Sequence, residues 1–347
     1  MLAAVFTHDG VYASPPAFIA DSSRSSGVAV AFSAIGVAAA LLAPGPSPAQ
    51  DDGPRRVPPG ARHAARLTES AGTRSTRAPA PAMRYGLDSV ARLENQVGLV
   101  TGGGRGIGAA VARELASAGM RIAVTGRTEA QVRSVADEIG GLALVGDVAH
   151  QSDVERWVAE TELGLGPIDL LVNNAAIVGA PEPFWEHPPS EWWRIFEVNV
   201  LGAFLCCHAV LPGMVKRGRG RIVNVTSGAA YIRDLPTVGG DTSYPPSKAA
   251  LTRFTERLAG DLADHGVLAF AVAPGIVRSE MTASLPDTIP WTPPEAPPRL
   301  IRGLAEGKAD ALSGRYLHAE HDADLEALAA RAGEIRQHDL NAIRLRR

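Results

Sequence analysis

The chain has 347 residues, 46% of them hydrophobic, a net charge of −3 and a pI near 6.3. That length suits one large domain or two small ones, and the balance of charge gives no sign of nucleic-acid binding. Its two cysteines, Cys206 and Cys207, are adjacent in an apolar run. That pattern reads as two buried thiols rather than a disulfide framework or a zinc site, and it fits a reducing, cytoplasmic compartment.

Residues 1–94 form an extension rich in Ala, Pro, Ser and Arg without sustained periodicity, the composition of a disordered segment. Its one apolar run, Gly27 to Ala43, ends at Pro44-Gly45-Pro46 and is short of the roughly 20 residues a membrane span needs. A signal core with Ser47-Pro48-Ala49 as its cleavage site is the competing reading. The long preceding stretch holds one arginine, Arg24, beside Asp9 and Asp21, which disfavours it. Met83, just before the patterned region, reads as a start, and no membrane association is expected.

From Gln96 short apolar runs alternate with helical patterns, which predicts an α/β fold with a doubly wound parallel sheet in residues 95–320. Val97 to Val100 is the first strand. A helix opening at Gly106 carries Ile107, Val111 and Leu115 on one face and stops near Gly119. Ile122 to Thr125 is the second strand, followed by a helix with Val132, Val135 and Ile139. Leu142 to Val145 is the third strand and ends in Gly146-Asp147; Leu170 to Asn173 is the fourth. A long helix starts near Ser190, with Ser190 as cap and Glu191 in the first turn. Ile222 to Val225 is the fifth strand. Leu251, Phe254, Leu258 and Leu262 stripe the next helix. Val267 to Ala273 is the sixth strand and Arg315 to Leu317 the seventh. A polar helix with Leu325, Leu328 and Ile335 closes the chain within residues 321–347.

Two motifs carry the chemistry. Thr101-Gly102-Gly103-Gly104-Arg105-Gly106-Ile107-Gly108 leaves a strand and opens a helix. There, backbone N–H groups and the helix dipole favour a dinucleotide pyrophosphate that glycines allow to approach closely. About 20 residues further on, NAD-binding chains carry an acidic residue for the ribose hydroxyl. This chain has Gly126-Arg127-Thr128, with no carboxylate to repel a 2′-phosphate and an arginine to pair with it. Arg105 offers a second contact, so NADP is expected over NAD. The second motif, Tyr244-Pro245-Pro246-Ser247-Lys248, puts Tyr244 and Lys248 on one helical face, with both prolines tolerated in the first turn. A free tyrosine titrates near 10, and a nearby ammonium favours its phenolate. Together the motifs predict hydride transfer on a nicotinamide, with Tyr244 handling the proton. Ser227, after the fifth strand, is placed to hydrogen-bond a substrate carbonyl oxygen. Its neighbour Thr226 would point elsewhere by strand alternation. Asn199, in an otherwise apolar helix, must find partners: it bends the helix and holds a water near Lys248, or it satisfies a local backbone group.

In these motifs and their order the chain resembles the short-chain dehydrogenase/reductase family, strongly over residues 95–280. The series runs Thr101-Gly-x-x-x-Gly-x-Gly108, Asp147, Asn173-Asn174-Ala175-Ala176, Asn199, Ser227, Tyr244-x-x-x-Lys248 and Pro274-Gly275. The resemblance implies a catalytic tetrad of Asn199, Ser227, Tyr244 and Lys248. It implies cofactor contacts from Gly102, Arg105, Gly106, Ile107, Gly108 and Arg127. Asp147 and Val148 would meet the adenine, Asn174 would line the channel, and Tyr244 with Lys248 would hold the nicotinamide ribose. Beyond Pro274 and Gly275, the stretch Ile276 to Ser279 would meet the carboxamide. A small carbonyl or alcohol substrate and a homodimer or homotetramer follow from the same resemblance. The competing class is a non-catalytic dinucleotide-binding sensor or scaffold, which has no need of Tyr244. The chain departs from the family at Ala176, where glycine is usual, and in the wider Ser227-to-Tyr244 spacing, which enlarges the loop Arg233 to Thr242 over the substrate pocket. The tail after Ser313-Gly314-Arg315-Tyr316 also departs from the family. The Pro-rich segment Met281 to Leu300 corresponds to a substrate lid, and suggests an apolar substrate. Trp185, Trp192 and Trp193 are expected to serve packing or a subunit interface. His318 and His321 read as a solvated loop, with no metal expected.

Overall fold

A computed structural model describes residues 93–180, 183–232 and 242–344. The extension before Leu93, with Gly27 to Ala43 and Met83, and most of the loop Arg233 to Thr242 lie outside the described residues. The strands are β1 (Val97–Thr101), β2 (Arg121–Gly126), β3 (Leu142–Val145), β4 (Ile168–Asn173), β5 (Gly220–Val225), β6 (Val267–Ala273) and β7 (Tyr316–His318). They form one sheet in the order β3-β2-β1-β4-β5-β6-β7, and every pairing is parallel. All five residues of β1 are buried, as a central parallel strand covered on both faces requires.

Helices α1 (Gly106–Ser117), α2 (Glu129–Ile139) and α7 (Ala296–Ala305) cover one face. There Val111, Leu115 and Val132 meet Val100 and Val124, with Leu300 and Leu304 in the same core. The other face carries α3 (Gln151–Gly164), α5 (Gly202–Arg217) and α6 (Tyr244–Asp261). On that face Trp157, Cys206, Val210 and Met214 pack against Leu99, Leu171 and Ile222. Alternate residues of each strand thus serve opposite cores, which is the doubly wound arrangement. Cys206 and Cys207 are free thiols buried in the second core, and burial pushes Cys207 up to about 12.

Helix α4 (Pro189–Phe196) starts one residue before the expected Ser190, which sits inside the first turn and caps nothing. The Pro188-Pro189 pair supplies the start, because a proline's fixed φ suits the first helical position. A π-turn, Glu197–Leu201, joins α4 to α5, so helix runs unbroken from Pro189 to Arg217. This 29-residue stretch is long and apolar enough to cross a membrane, yet Ala203, Cys206, Cys207, Val210 and Met214 bury its inner face against the sheet. Trp192 stacks on Phe196 at 4.7 Å, while Trp185 and Trp193 are 82% and 57% exposed. The seventh strand is displaced by one residue from its expected place. The expected closing helix is instead two short ones, α8 (Leu325–Ala330) and α9 (Ala332–Gln337). Arg331 ends the first and opens the second, so that Leu325 and Ile335 both still reach the core.

Candidate active site

The strand order reverses between β1 and β4, so the connections leaving their C-terminal ends diverge and open a crevice. A cavity of about 600 Å³ occupies it. One wall is the glycine turn, where Gly102 has φ +62° and Gly106 φ +54°. A Cβ on Gly108 would lie 2.3 Å from the Gly102 carbonyl oxygen, and one on Gly102 would lie 2.9 Å from Ala175 Cα. Only glycine lets the turn, the start of α1 and the loop after β4 converge this closely. Asn174 fastens the three: its N–H donates to Thr101 Oγ1 at 3.0 Å, and its Nδ2 donates to the Thr101 and Gly102 carbonyls at 3.0 and 3.2 Å. No side chain caps α1, so its first N–H groups face the cavity beside Gly106 and Ile107 with the dipole's positive end behind them.

Gly126, Arg127 and Thr128 border the same cavity. Arg127 is exposed and makes no hydrogen bond or ion pair with any described residue. Arg105 is engaged differently from the sequence expectation: its guanidinium pairs with Glu280, which arrives from the loop after β6. Asp147 borders the cavity while accepting from the Ala149 N–H at 3.0 Å and from Arg194 Nη2. Val148 is buried beneath it. Glycine-only approach and free helical N–H groups fit a dinucleotide's pyrophosphate, with Arg127 an unpaired cation on the same cavity.

The residues expected from the sequence to handle the proton are built on α6. Tyr244 is its first residue and half-buried, and Lys248 follows one turn later at 2% exposure. Lys248 Nζ lies 5.6 Å from the Tyr244 ring centroid and donates to the Val225 carbonyl at 2.8 Å. That bond ties α6 to the end of β5, two residues before Ser227. Burial pushes the Lys248 ammonium down to about 7, against the stable cation anticipated beside the phenol. Ser227 Oγ accepts from the Ala229 N–H at 3.2 Å, which leaves its hydroxyl proton to donate. Thr226 extends the β5–β6 pairing through its N–H to the Val272 carbonyl, and its buried hydroxyl has no described partner.

Asn199, 1% exposed on the π-turn, joins the two halves of the site. Its Oδ1 accepts from the Ile177 N–H and its Nδ2 donates to the Ile177 carbonyl, both at 2.9 Å. The same Nδ2 donates to Ser247 Oγ at 3.0 Å. Ile177 borders the cavity and Ser247 precedes Lys248, so one amide spans from the cleft wall to α6. Ser227, Tyr244 and Lys248 themselves are not among the residues bordering that cavity.

After β6, Gly275 has φ +76°, and Thr292 Oγ1 would lie 2.1 Å from a Cβ there. Thr292 accepts from the Ile276 N–H at 3.2 Å, donates its own N–H to the Ile276 carbonyl at 2.9 Å, and donates its hydroxyl to Glu320 at 3.0 Å. The Ile276 backbone is therefore committed to the segment following it, while Ser279 reaches the cavity. Arg278 pairs with Asp287 at 2.7 Å and lies 4.3 Å from the Trp291 ring centroid, drawing the expected lid onto the turn. Thr101, Arg194, Ser247 and Thr292 hold the site together without having been assigned roles from the sequence. Ser247 stood inside the Tyr-Lys motif and Thr101 opened the glycine turn, so spacing could have drawn attention to both. Nothing local marks Arg194 or Thr292.

The family model for short chain dehydrogenase matches residues 96–290. A short chain dehydrogenase of Pseudocercospora fijiensis is 39% identical over 199 residues, covering 55% of this chain and 63% of that protein. A short chain dehydrogenase of Monascus purpureus is 35% identical over 260 residues, covering 71% of this chain and 87% of its own. Among solved structures, the 3-ketoacyl-(acyl-carrier-protein) reductase from Brucella melitensis, complexed with NADH, is similar with a TM-score of 0.61 and 29% identity, covering 65% of this chain and 97% of that one.

Proposed function

The chain belongs to the short-chain dehydrogenase/reductase family, and we propose that it interconverts a ketone or aldehyde and an alcohol by hydride transfer, with NADP as cofactor. The observation carrying this reading is Asn199, which ties the wall of the nucleotide cleft to the helix of Tyr244 and Lys248. A dinucleotide binder without turnover has no need of Tyr244 on that helix.

The bound nicotinamide supplies or accepts the hydride. Tyr244, at the open end of α6, gives its phenolic proton to the developing alkoxide, or takes it back in oxidation. Ser227 donates its hydroxyl proton to the same oxygen and favours the charge that builds there. Lys248, anchored on the Val225 carbonyl, supports the phenolate electrostatically in its protonated form, which the phenolate's own charge favours. Asn199 sets the register of α6 against the cleft. The Brucella relative was solved with NADH, so the choice of NADP rests on this chain's own residues: no carboxylate at Gly126 and an unpaired Arg127. The exposed Trp193, Leu201 and Phe204 along the α4–α5 helix support assembly as a homodimer or homotetramer. Two free buried thiols support a cytoplasmic setting.

Tyr244→Phe deletes only the hydroxyl. With NADPH or NADP against a panel of carbonyls and alcohols, turnover should fall by roughly 10²–10⁴-fold while cofactor affinity is kept. Near-normal turnover in that variant removes Tyr244 from the mechanism.

A further inference from the structure

Asp147 stands where β3 delivers the chain to the cleft, and two carboxylates converge on that turn. Asp153 Oδ2 accepts the Asp147 N–H at 2.9 Å, and Asp147 is among the residues that border the cavity. Asp153 is compensated by Arg156 at 2.9 Å, with His150 at 3.7 Å. The one cation paired with Asp147 among the described residues is Arg194, from α4 on the far side of β4 in the chain. Arg194 Nη2 donates to Asp147 Oδ2, while its Nη1 donates to Glu197 Oε2 at 3.1 Å. The guanidinium fork thus spans from the end of β3 to the first residue of the π-turn. Packing closes the same gap a turn later, where a Cβ on Gly202 would lie 2.7 Å from Val148 Cγ2.

We propose that Arg194 is a positioning residue for the adenine end of the cofactor: it holds the Asp147 carboxylate in the orientation that accepts the exocyclic amino group of the base. This rests on the dinucleotide reading of the cleft. Oδ1 is fixed by the Ala149 N–H and Oδ2 by Arg194. Each carboxylate oxygen keeps further lone-pair capacity, so the group remains an acceptor toward the cavity. With Arg194 removed, the carboxylate loses its charge-assisted partner beside a second carboxylate and turns toward solvent. The preference for an amino-bearing base is then lost, whereas the pyrophosphate and ribose contacts lie elsewhere and persist.

The test measures binding alone, by calorimetry, with the full chain, NADP and its hypoxanthine counterpart, whose base carries a carbonyl in place of the amino group. The unmodified protein should bind the adenine form about tenfold more tightly. Arg194→Met should erase that preference by weakening the adenine form while retaining the hypoxanthine form, and the retained binding shows that the variant is folded. Arg194→Lys should restore part of the preference, because it returns the charge without the fork. Equal weakening of both forms, or an unchanged preference in Arg194→Met, overturns the proposal. Failure of the unmodified protein to bind either form overturns the dinucleotide reading itself.

Discussion

Lys248 is nearly sealed from water, and its ammonium has one hydrogen-bond acceptor in Val225. An unfolded lysine is protonated below about 10.5, but in the fold burial allows this only below about 7. Between those values the unfolded chain holds more protons, so stability rises with pH across that window, and the penalty is fully present below pH 7. Lys248→Met removes the penalty but leaves the Val225 carbonyl without its donor, which costs about 1–3 kcal/mol. The variant should therefore be inactive yet melt higher than the parent at pH 7, with the difference shrinking toward pH 10. Melting curves at several pH values decide this, and a difference that does not vary with pH would mean that the charge is not penalised. Such an exchange of stability for activity is common at catalytic sites. On the cavity beside the glycine turn, Arg127 is unpaired, and a charge-assisted contact contributes roughly 1.5–3 kcal/mol. Arg127→Ala should lower kcat/KM for NADP by about 10- to 150-fold and leave NAD nearly untouched. A Cβ at Gly126 would lie 3.0 Å from Val132 Cγ2, a methyl that can yield slightly, so Gly126→Asp should fold and shift preference toward NAD. A parent enzyme that already prefers NAD reverses this assignment.

The helix from Pro189 to Arg217 joins the site's chemistry to its core packing. Its π-turn inserts a residue into the helical ladder, a feature often found at functional sites, and Asn199 lies within it. The sequence marks Asn199 as an amide among apolar neighbours that must find partners, and the backbone it meets is not local: Ile177, 22 residues away, supplies both a donor and an acceptor. That Ile177 lies on the nucleotide cleft, and that Ser247 completes the set, depends on how β4 and α6 approach the helix, which no local pattern encodes. Asn199→Ala would strand the half-buried Ile177 N–H and carbonyl, at no more than about 1–3 kcal/mol for each group left unsatisfied. A net loss of about 2 kcal/mol corresponds to a fall in Tm of roughly 4–8 °C for a domain of this size. Turnover should drop in parallel as α6 loses its tie to the cleft. An unchanged Tm would show that water replaces the amide without loss.

At the scale of the molecule, the sheet is legible because its strands are covered on both faces and read as continuous apolar runs, Val97 to Val100 and Val267 to Ala273 being the clearest. The cleft is legible in outline because Gly102, Gly106 and Gly108 are demanded by backbone sterics within one turn. The clasps across the site are not, since Arg105 meets Glu280 at a separation of 175 residues and Arg194 meets Asp147 at 47. Such pairs exist only once the sheet has brought distant loops to one edge. The same closure bears on the extension. All seven strands, both walls of the cleft and the family match lie after Leu93, while the preceding sequence lacks periodicity of either kind. A protein beginning at Met83 keeps every residue placed in the sheet and the site. It should melt at the same temperature as the full chain and show the same kcat/KM, because a sequence without helical or strand periodicity offers no patterned face for the domain to pack. Side-by-side melting and kinetics test this. A lower Tm in the shorter protein would show that the extension packs on the domain, and recovery of only the full chain with membranes would assign Gly27 to Ala43 an anchoring role.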